Sequence, residues 1–214
     1  MTGRYHKPRQ TGVTLIELMI GMVLGLFIVG GVIGIFVANQ QSAAEKRGLD
    51  NTQEAFRYSA YTISRVVRNS SGFLDPIDDD KLVVSINRNP EMPDCLGYST
   101  EKGDPGDPDP RNEFYFTSEN GVGVLRCASY DEDGNLDGDE ILVEGFDLTQ
   151  TGFTFALPDA ASNWISDSDY VTHGALASDE WDDVIAVRVH MRTEPGLSSV
   201  FTATSRQVVL AQAS

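Results

Sequence analysis

Histidine, cysteine and positive charge are all scarce in this chain. The three histidines, His6, His173 and His190, lie far apart, without the spacing of metal ligands. No nucleophile elbow and no glycine-rich phosphate loop occurs. The residue pattern therefore gives no argument for an enzyme. Cys95 and Cys127 are the only cysteines, so one intramolecular pairing exists. They lack C-x-x-C spacing, which argues against a redox-active pair. In an oxidising compartment they could crosslink. Closing a loop of about 30 residues that way is worth roughly 3–4 kcal/mol. Free buried thiols are the other reading.

Lys and Arg number 16 against 32 Asp and Glu, a formal net charge of −16 at pH 7. So acidic a surface repels nucleic acid and anionic lipid, and direct nucleic-acid binding by the globular part is not expected. The charge is unevenly spread. Arg4, Lys7 and Arg9 make the first dozen residues basic, and almost all of the acid lies beyond residue 44.

Charge of either sign is missing from Leu18 to Ala38. As a helix that run would span about 31 Å, enough to cross the hydrocarbon core of a bilayer. The Arg and Lys excess precedes it, which places the amino end in the cytoplasm and exports the rest. A cleaved secretory signal fits poorly: its apolar region would be shorter, and "VANQQSAAEK" offers no A-x-A-like site. An ordinary signal-anchor explains the run and its orientation. It does not explain Glu17, a carboxylate at the mouth of the span that costs on the order of 3 kcal/mol in lipid.

Glu17 has a context. The basic stub ends in Gly12, then "VTLIE" finishes on Glu17, and the span follows. This arrangement resembles the class III signal of type IV pilins. The resemblance implies cleavage after Gly12 by a prepilin peptidase on the cytoplasmic side and N-methylation of Val13. The family usually begins its mature chain with Phe or Met, so Val13 is a departure. Glu17 would be the fifth mature residue. In a filament, its carboxylate would pair with the new amine of a neighbouring subunit, and two charges costly alone in lipid become cheaper together.

Gly21 and Gly25 form one G-x-x-x-G pair in the span, and Gly30 and Gly34 another. Small residues let helix backbones approach closely in lipid. Ordinary glycine content of a membrane helix is the plainer reading. The span has no proline, which pilin helices commonly carry in its second half; Gly34 sits there instead.

The helix is expected to continue beyond the membrane. Leu49, Phe56 and Ile63 recur every seven residues, with Thr52, Ser59 and Val66 between them. That stripe can lie on a sheet. "NSSG" then reads as its stop, with Gly72 as C-terminal cap. The remainder reads as strands. "KLVVSI" is short, "NEFYFTSENGVGVLRCASY" is a hairpin turning at Asn120-Gly121, and "EILVEGFDLTQTGFTFAL" gives one or two more. Ile185, Val187, Val189 and Met191 alternate with Ala186, Arg188, His190 and Arg192, and "EPGL" turns the chain into "SVFTATSRQVVL". Acidic, Pro- and Gly-rich loops separate these strands, and no internal repeat is present.

Further stretches narrow the resemblance. "NTQEAFRYSAYTISRVVRNSSGF" looks like the helix of PilW-type minor pilins. "EILVEGFDL" resembles a strand shared by these and the J-type minor pseudopilins of type II secretion, and "TATSRQVVL" is similar to their last strand. The resemblance implies an α+β type IV pilin fold, with one long N-terminal helix packed on an antiparallel β-sheet head. It divides the chain into a cleaved leader (1–12), a membrane and assembly helix (13–38), its amphipathic continuation (39–72) and a periplasmic head (73–214). It implies a minor pilin that primes pilus assembly within a tip complex, supporting twitching and adhesion. Its partners would be other minor pilins, the major pilin, the prepilin peptidase, the inner-membrane assembly platform and lipid, and a tip adhesin. A minor pseudopilin is the alternative. A membrane-anchored periplasmic Ca²⁺-binding or enzymatic domain is the alternative of another class.

One acidic stretch bears on that last alternative. In "DGNLDGDEILVE", Asp133, Asn135, Asp137, Gly138 and Glu144 follow EF-hand loop spacing, with Asp139 beside them. Clustered oxygens suit Ca²⁺. Against this, Glu140 stands where EF-hands are usually apolar, no flanking helices are expected, and Glu144 belongs to a strand pattern. An Asp-rich turn between strands is the plainer reading, and no other cofactor is expected.

Overall fold

The computed structural model describes residues 12, 14–76, 81–86, 93–98, 110–158, 165–193 and 196–205. The chain divides into two compact units, Met1–Asp50 and Asn51–Ser214. Helix α1 runs over Leu15–Asn69 and so belongs to both.

Within the first unit α1 is uncovered, and from Leu18 to Ala38 it carries no charge. Leu18, Met22, Leu26, Phe27, Ile33 and Phe36 are each more than half exposed. A helix apolar on every side has no water-facing surface to offer and suits lipid or other helices. It is the one helix among the described residues long and apolar enough to cross a membrane.

Within the second unit α1 is amphipathic. Ser59, Thr62, Ile63, Val66 and Val67 are buried, and Phe56 packs beside them. The stripe is thus wider than a seven-residue repeat, because a helix of 3.6 residues per turn brings i, i+3, i+4 and i+7 to one face. Leu49, expected to open the stripe, falls in the first unit and is exposed. The helix also stops earlier than expected. Ser70 Oγ donates to the Val67 carbonyl at 2.7 Å and satisfies a helix-end acceptor. Residues Ser70–Leu74 then form strand β1, and Gly72 pairs opposite Ser85 rather than capping α1.

Two antiparallel sheets follow, where the sequence suggested one. The first holds β1, β2 (Lys81–Ile86), β3 (Arg111–Glu119), β4 (Val122–Tyr130) and β5 (Leu136–Phe146), in chain order. β3 and β4 are the expected hairpin. Asn120 and Gly121 both take positive φ, 52° and 83°, as a type I′ turn requires. The second sheet has the order β7-β6-β8-β9, from β6 (Gly152–Ala156), β7 (Tyr170–Val171), β8 (Ala186–Arg192) and β9 (Ser198–Thr204). Val187, Val189 and Met191 point inward from β8, while Arg188, His190 and Arg192 are only half-buried. The glycine of the β8–β9 turn, Gly196, has φ 87°; residues 194 and 195 of that turn lie outside the described residues, as does the chain after 205.

One apolar core joins the helix face and both sheets. An aromatic chain runs through it. Phe56 of α1 stands 6.4 Å from Phe146 of β5, Phe146 stands 5.4 Å from Phe116 of β3, and Phe116 stands 5.3 Å from Phe153 of β6. A second group has Phe155 edge to face with Trp181 at 4.7 Å and with Phe73 at 6.5 Å. Phe146, Phe153, Phe155 and Trp181 are buried, and a fully buried ring contributes about 1.5–3 kcal/mol; Phe56 and Phe116 are only partly buried.

Candidate processing and assembly site

The first helical turn is closed by two residues. Thr14 precedes α1, and its carbonyl accepts the first helical bond, from Leu18 N at 3.2 Å. Glu17 N donates to Thr14 Oγ1 at 3.4 Å, and Thr14 N donates to Glu17 Oε2 at 3.2 Å. Thr14 Oγ1 also donates to the same Oε2, at 3.0 Å. This is a reciprocal capping box. The hydroxyl satisfies an orphan amide of the helix start, and the carboxylate satisfies the amide of the cap residue itself. The carboxylate also lies at the positive end of the helix dipole. Both bonds that the carboxylate accepts from Thr14 fall on Oε2; Oε1 takes neither.

Gly12 lies exposed two residues before this cap. Val13, the expected methylation site, lies outside the described residues, as does the basic stub up to residue 11. Cutting between Gly12 and Val13 would leave the capping box intact, since Thr14 and Glu17 are both on the mature side. Thr14 escaped the sequence reading, although Thr-x-x-Glu before an apolar run is the capping-box pattern.

Gly21, Gly25, Gly30 and Gly34 are all on the bare part of α1, with no atom within 4 Å of where a Cβ would stand. The pair Gly21/Gly25 is centred nine positions before Gly30/Gly34, so at about 100° per residue the two pairs face opposite sides of the helix. A single close helix contact would use one side only.

Cys95 and Cys127 are joined by a disulfide, with Cα atoms 6.4 Å apart. The Cys95 segment is held from three directions. Cys127 belongs to β4. Asn112 Oδ1 of β3 accepts from Cys95 N at 3.3 Å. Arg65 of α1 donates to the Pro93 carbonyl at 2.7 Å and the Asp94 carbonyl at 2.8 Å. Inside the segment the Asp94 carboxylate accepts from Leu96 N and Tyr98 N, at 2.9 and 2.8 Å. Arg65 and Asp94 carried no motif that could have announced these roles.

The EF-hand spacing does not close into an EF-hand loop. From Leu136 to Phe146 the chain is strand β5, with Gly138 paired opposite Ser129. Gly138 is not the pivot of a sharp turn. It makes room for Leu96, whose Cδ1 would stand 2.7 Å from a Cβ at that position. Asp139 is engaged elsewhere: Tyr115 Oη donates to it at 2.7 Å and Arg126 Nε at 2.9 Å. The tight turn before β5 is tied by Asp131, whose carboxylate accepts from Asn135 N at 2.7 Å and from Asn135 Nδ2 at 3.1 Å. The Asn135 side chain, with nearby amides, holds the Asp131 carboxyl below its ordinary range. Among the described residues no group of three or more His, Cys, Asp or Glu side chains stands close enough to share a metal ion. The acids of this stretch are strand and turn residues, which an extended backbone spreads out.

The described histidines serve structure. His173 Nε2 lies 3.3 Å from Asp75 and 3.1 Å from the Pro76 carbonyl, with its ring against Trp181. His190 lies 3.4 Å from Thr154 Oγ1 across β6 and β8.

A family model described as the prokaryotic N-terminal methylation motif matches residues 7–33. The match takes in Gly12, Val13 and Glu17, the capping box, both residues of the first glycine pair and Gly30. Comparison with curated proteins finds no match. The motif supports a type IV pilin-like protein of a pilus or pseudopilus, structural rather than catalytic. Together with the apolar helix behind it, it suits a pilin anchored in the inner membrane. The α+β architecture, with one long N-terminal helix packed on antiparallel sheets, is consistent with the type IV pilin fold.

Proposed function

We propose that this chain is a minor pilin of the type IV pilus, of the PilW type, which primes filament assembly as part of a tip complex. The observation that carries this reading is the methylation motif over residues 7–33, with the Glu17 carboxylate held at the mouth of an apolar helix. The prepilin peptidase cuts after Gly12 and methylates Val13. The new amine of a neighbouring subunit then reaches Glu17 through Oε1, the oxygen that Thr14 leaves open. Pairing removes the cost of a lone carboxylate in lipid and so favours assembly. The two glycine pairs on opposite sides of the helix fit a subunit with neighbours on both sides. The head lies in the periplasm, where oxidising conditions sustain the Cys95–Cys127 bond. Its partners are other minor pilins, the major pilin, the assembly platform and a tip adhesin.

Mass spectrometry of the chain from membranes tests the processing step: a mature N-methylated Val13 is expected. A chain that still begins at Met1, or begins beyond the apolar helix, would overturn the reading. Deleting the gene tests the system. Loss of surface pili with protein secretion intact supports the pilus. The reverse pattern identifies a pseudopilin of type II secretion.

A further inference from the structure

The head is acidic, yet one of its faces is not. All but four of the 32 acidic residues lie beyond Asn69, whereas half of the 16 basic ones precede it. On α1 within the second unit, the face turned away from the core carries Arg57, Tyr58, Tyr61, Arg65 and Arg68. Glu54 is the last acid on this segment, so the final turns are cationic and aromatic only. Tyr61 is 68% exposed and Tyr58 48%. The arginines of the sheets are spent within the head. Arg111 pairs with Glu113, Arg126 with Asp139 and Glu119, Arg188 with Asp167, and Arg192 with Asp147. Among the described residues no ion pair includes Arg57, Arg65 or Arg68. Arg65 is oriented by the carbonyls of Pro93 and Asp94, which fix its position without cancelling its charge.

Arg and Tyr in such a stripe are the composition of protein-interface hot spots, where large rigid side chains bury area and charge selects the partner. A matching surface exists on the same chain. The edge strand β5 exposes Asp137, Glu140 and Glu144, together with Leu136 and Ile141. Arg57 to Arg68 covers about 16 Å of helix. Asp137 to Glu144 covers roughly 23 Å of strand. The helix face and the β5 edge, whose side chains project to both sides of the sheet, are comparable in length and opposite in charge, and both mix charge with apolar or aromatic side chains.

We infer that the Arg57–Arg68 face of one subunit docks on the acidic β5 edge of a second copy. Such a contact joins two different surfaces, so it propagates head to tail rather than closing a dimer, as a filament needs. It gives the acids of β5 a purpose that does not involve a metal. The inference goes beyond the proposed function, because it concerns the head and does not depend on processing or on Glu17. It adds that more than one copy stands side by side.

The test uses the full mature chain in detergent micelles, labelled with donor and acceptor dyes, and reads association by energy transfer. Raising salt from about 0.05 to about 0.5 M is expected to weaken association about tenfold. One variant carries Arg57→Glu with Arg68→Glu, and another carries Asp137→Lys with Glu140→Lys. Each alone is expected to lose about tenfold in self-association, and the two mixed are expected to recover it, because each supplies the charge that the other now needs. Circular dichroism and an intact disulfide establish that both variants fold. Self-association unchanged in either variant, or no recovery on mixing, overturns the proposal. So does an Arg57/Arg68 variant that loses binding to a DNA duplex probe while self-association stands, since the face would then serve nucleic acid. The Val13 mass measurement fails or succeeds independently of these outcomes.

Discussion

Thr14 and Glu17 hold each other across the first turn of α1. The threonine hydroxyl accepts from the glutamate amide, and the glutamate carboxylate accepts from the threonine amide. The carboxylate thus has a duty within its own chain before any neighbour arrives. Cap and charge can be separated, because glutamine serves at this capping-box position as well as glutamate. Glu17→Gln should keep the helix start and insert in the membrane, yet enter filaments poorly, because the neutral amide cannot pair with an amine. Thr14→Ala should cost about 1 kcal/mol at the helix start and leave the charge in place. Comparing sheared filament and membrane fractions by immunoblot checks both. Wild-type filament incorporation of Glu17→Gln would reduce Glu17 to a cap.

The Cys95 segment is predicted to lose its anchor in two steps. Replacing Cys127 with Ser should lower stability by roughly 3–4 kcal/mol, or about 10 °C in melting temperature. Arg65→Ala should cost about 1–2 kcal/mol, because two backbone carbonyls lose a charged donor. It should also speed reduction of the disulfide, which thiol trapping at intervals measures. Arg65→Lys should not restore the wild-type rate, since a single ammonium cannot reach both carbonyls in the fork geometry of a guanidinium.

What the sequence made legible was local. The span, the Asn120-Gly121 turn and the alternation in β8 are set by neighbours within a few residues, and each lies where composition and period put it. The processing motif was equally local and was read from six residues. The division of the strands into two sheets was not legible. It depends on β6 pairing with β8 rather than with β5, a choice made by packing across the core. "NSSG" misled because a Gly after a helix usually caps it, whereas here Ser70 closes the helix and β2 claims the residues that follow. The EF-hand spacing forms no EF-hand loop for a related reason: spacing counts residues, and Leu136–Phe146 is extended strand.

Two glycines of the first sheet should respond differently to a methyl group. A Cβ on Gly123 would collide with the Phe146 backbone carbonyl, where β4 and β5 approach at a register shift. Backbone cannot step aside cheaply, so Gly123→Ala should cost about 3 kcal/mol or more. A Cβ on Gly138 would meet only the tip of Leu96, a side chain that can turn. Gly138→Ala should cost about 1 kcal/mol. Denaturant unfolding of both variants checks the order. Equal losses would show that the close approach at Gly123 is not what holds the β4–β5 register.

Tyr115 should set part of the alkaline limit of the head. Burial, then its hydrogen bond to Asp139 and the charge of that carboxylate, push the Tyr115 phenol up to about 12. The nearby Arg126 guanidinium pulls the other way but is itself committed to Asp139. A phenol that ionises less readily when folded gives stability that is complete below the unfolded value, about 10, and drains away as the pH rises through the folded one. Wild type should therefore lose melting temperature between about pH 10 and pH 12. Tyr115→Phe should start about 1 kcal/mol less stable at neutral pH, for want of the hydrogen bond, and then fall less steeply over that window. Melting curves at about pH 8 and about pH 11 separate the two effects, because the first is a constant offset and the second is a difference in slope. Parallel falls in wild type and variant would mean that the phenol titrates alike in the folded and unfolded chain, and that its bond to Asp139 is not maintained in solution.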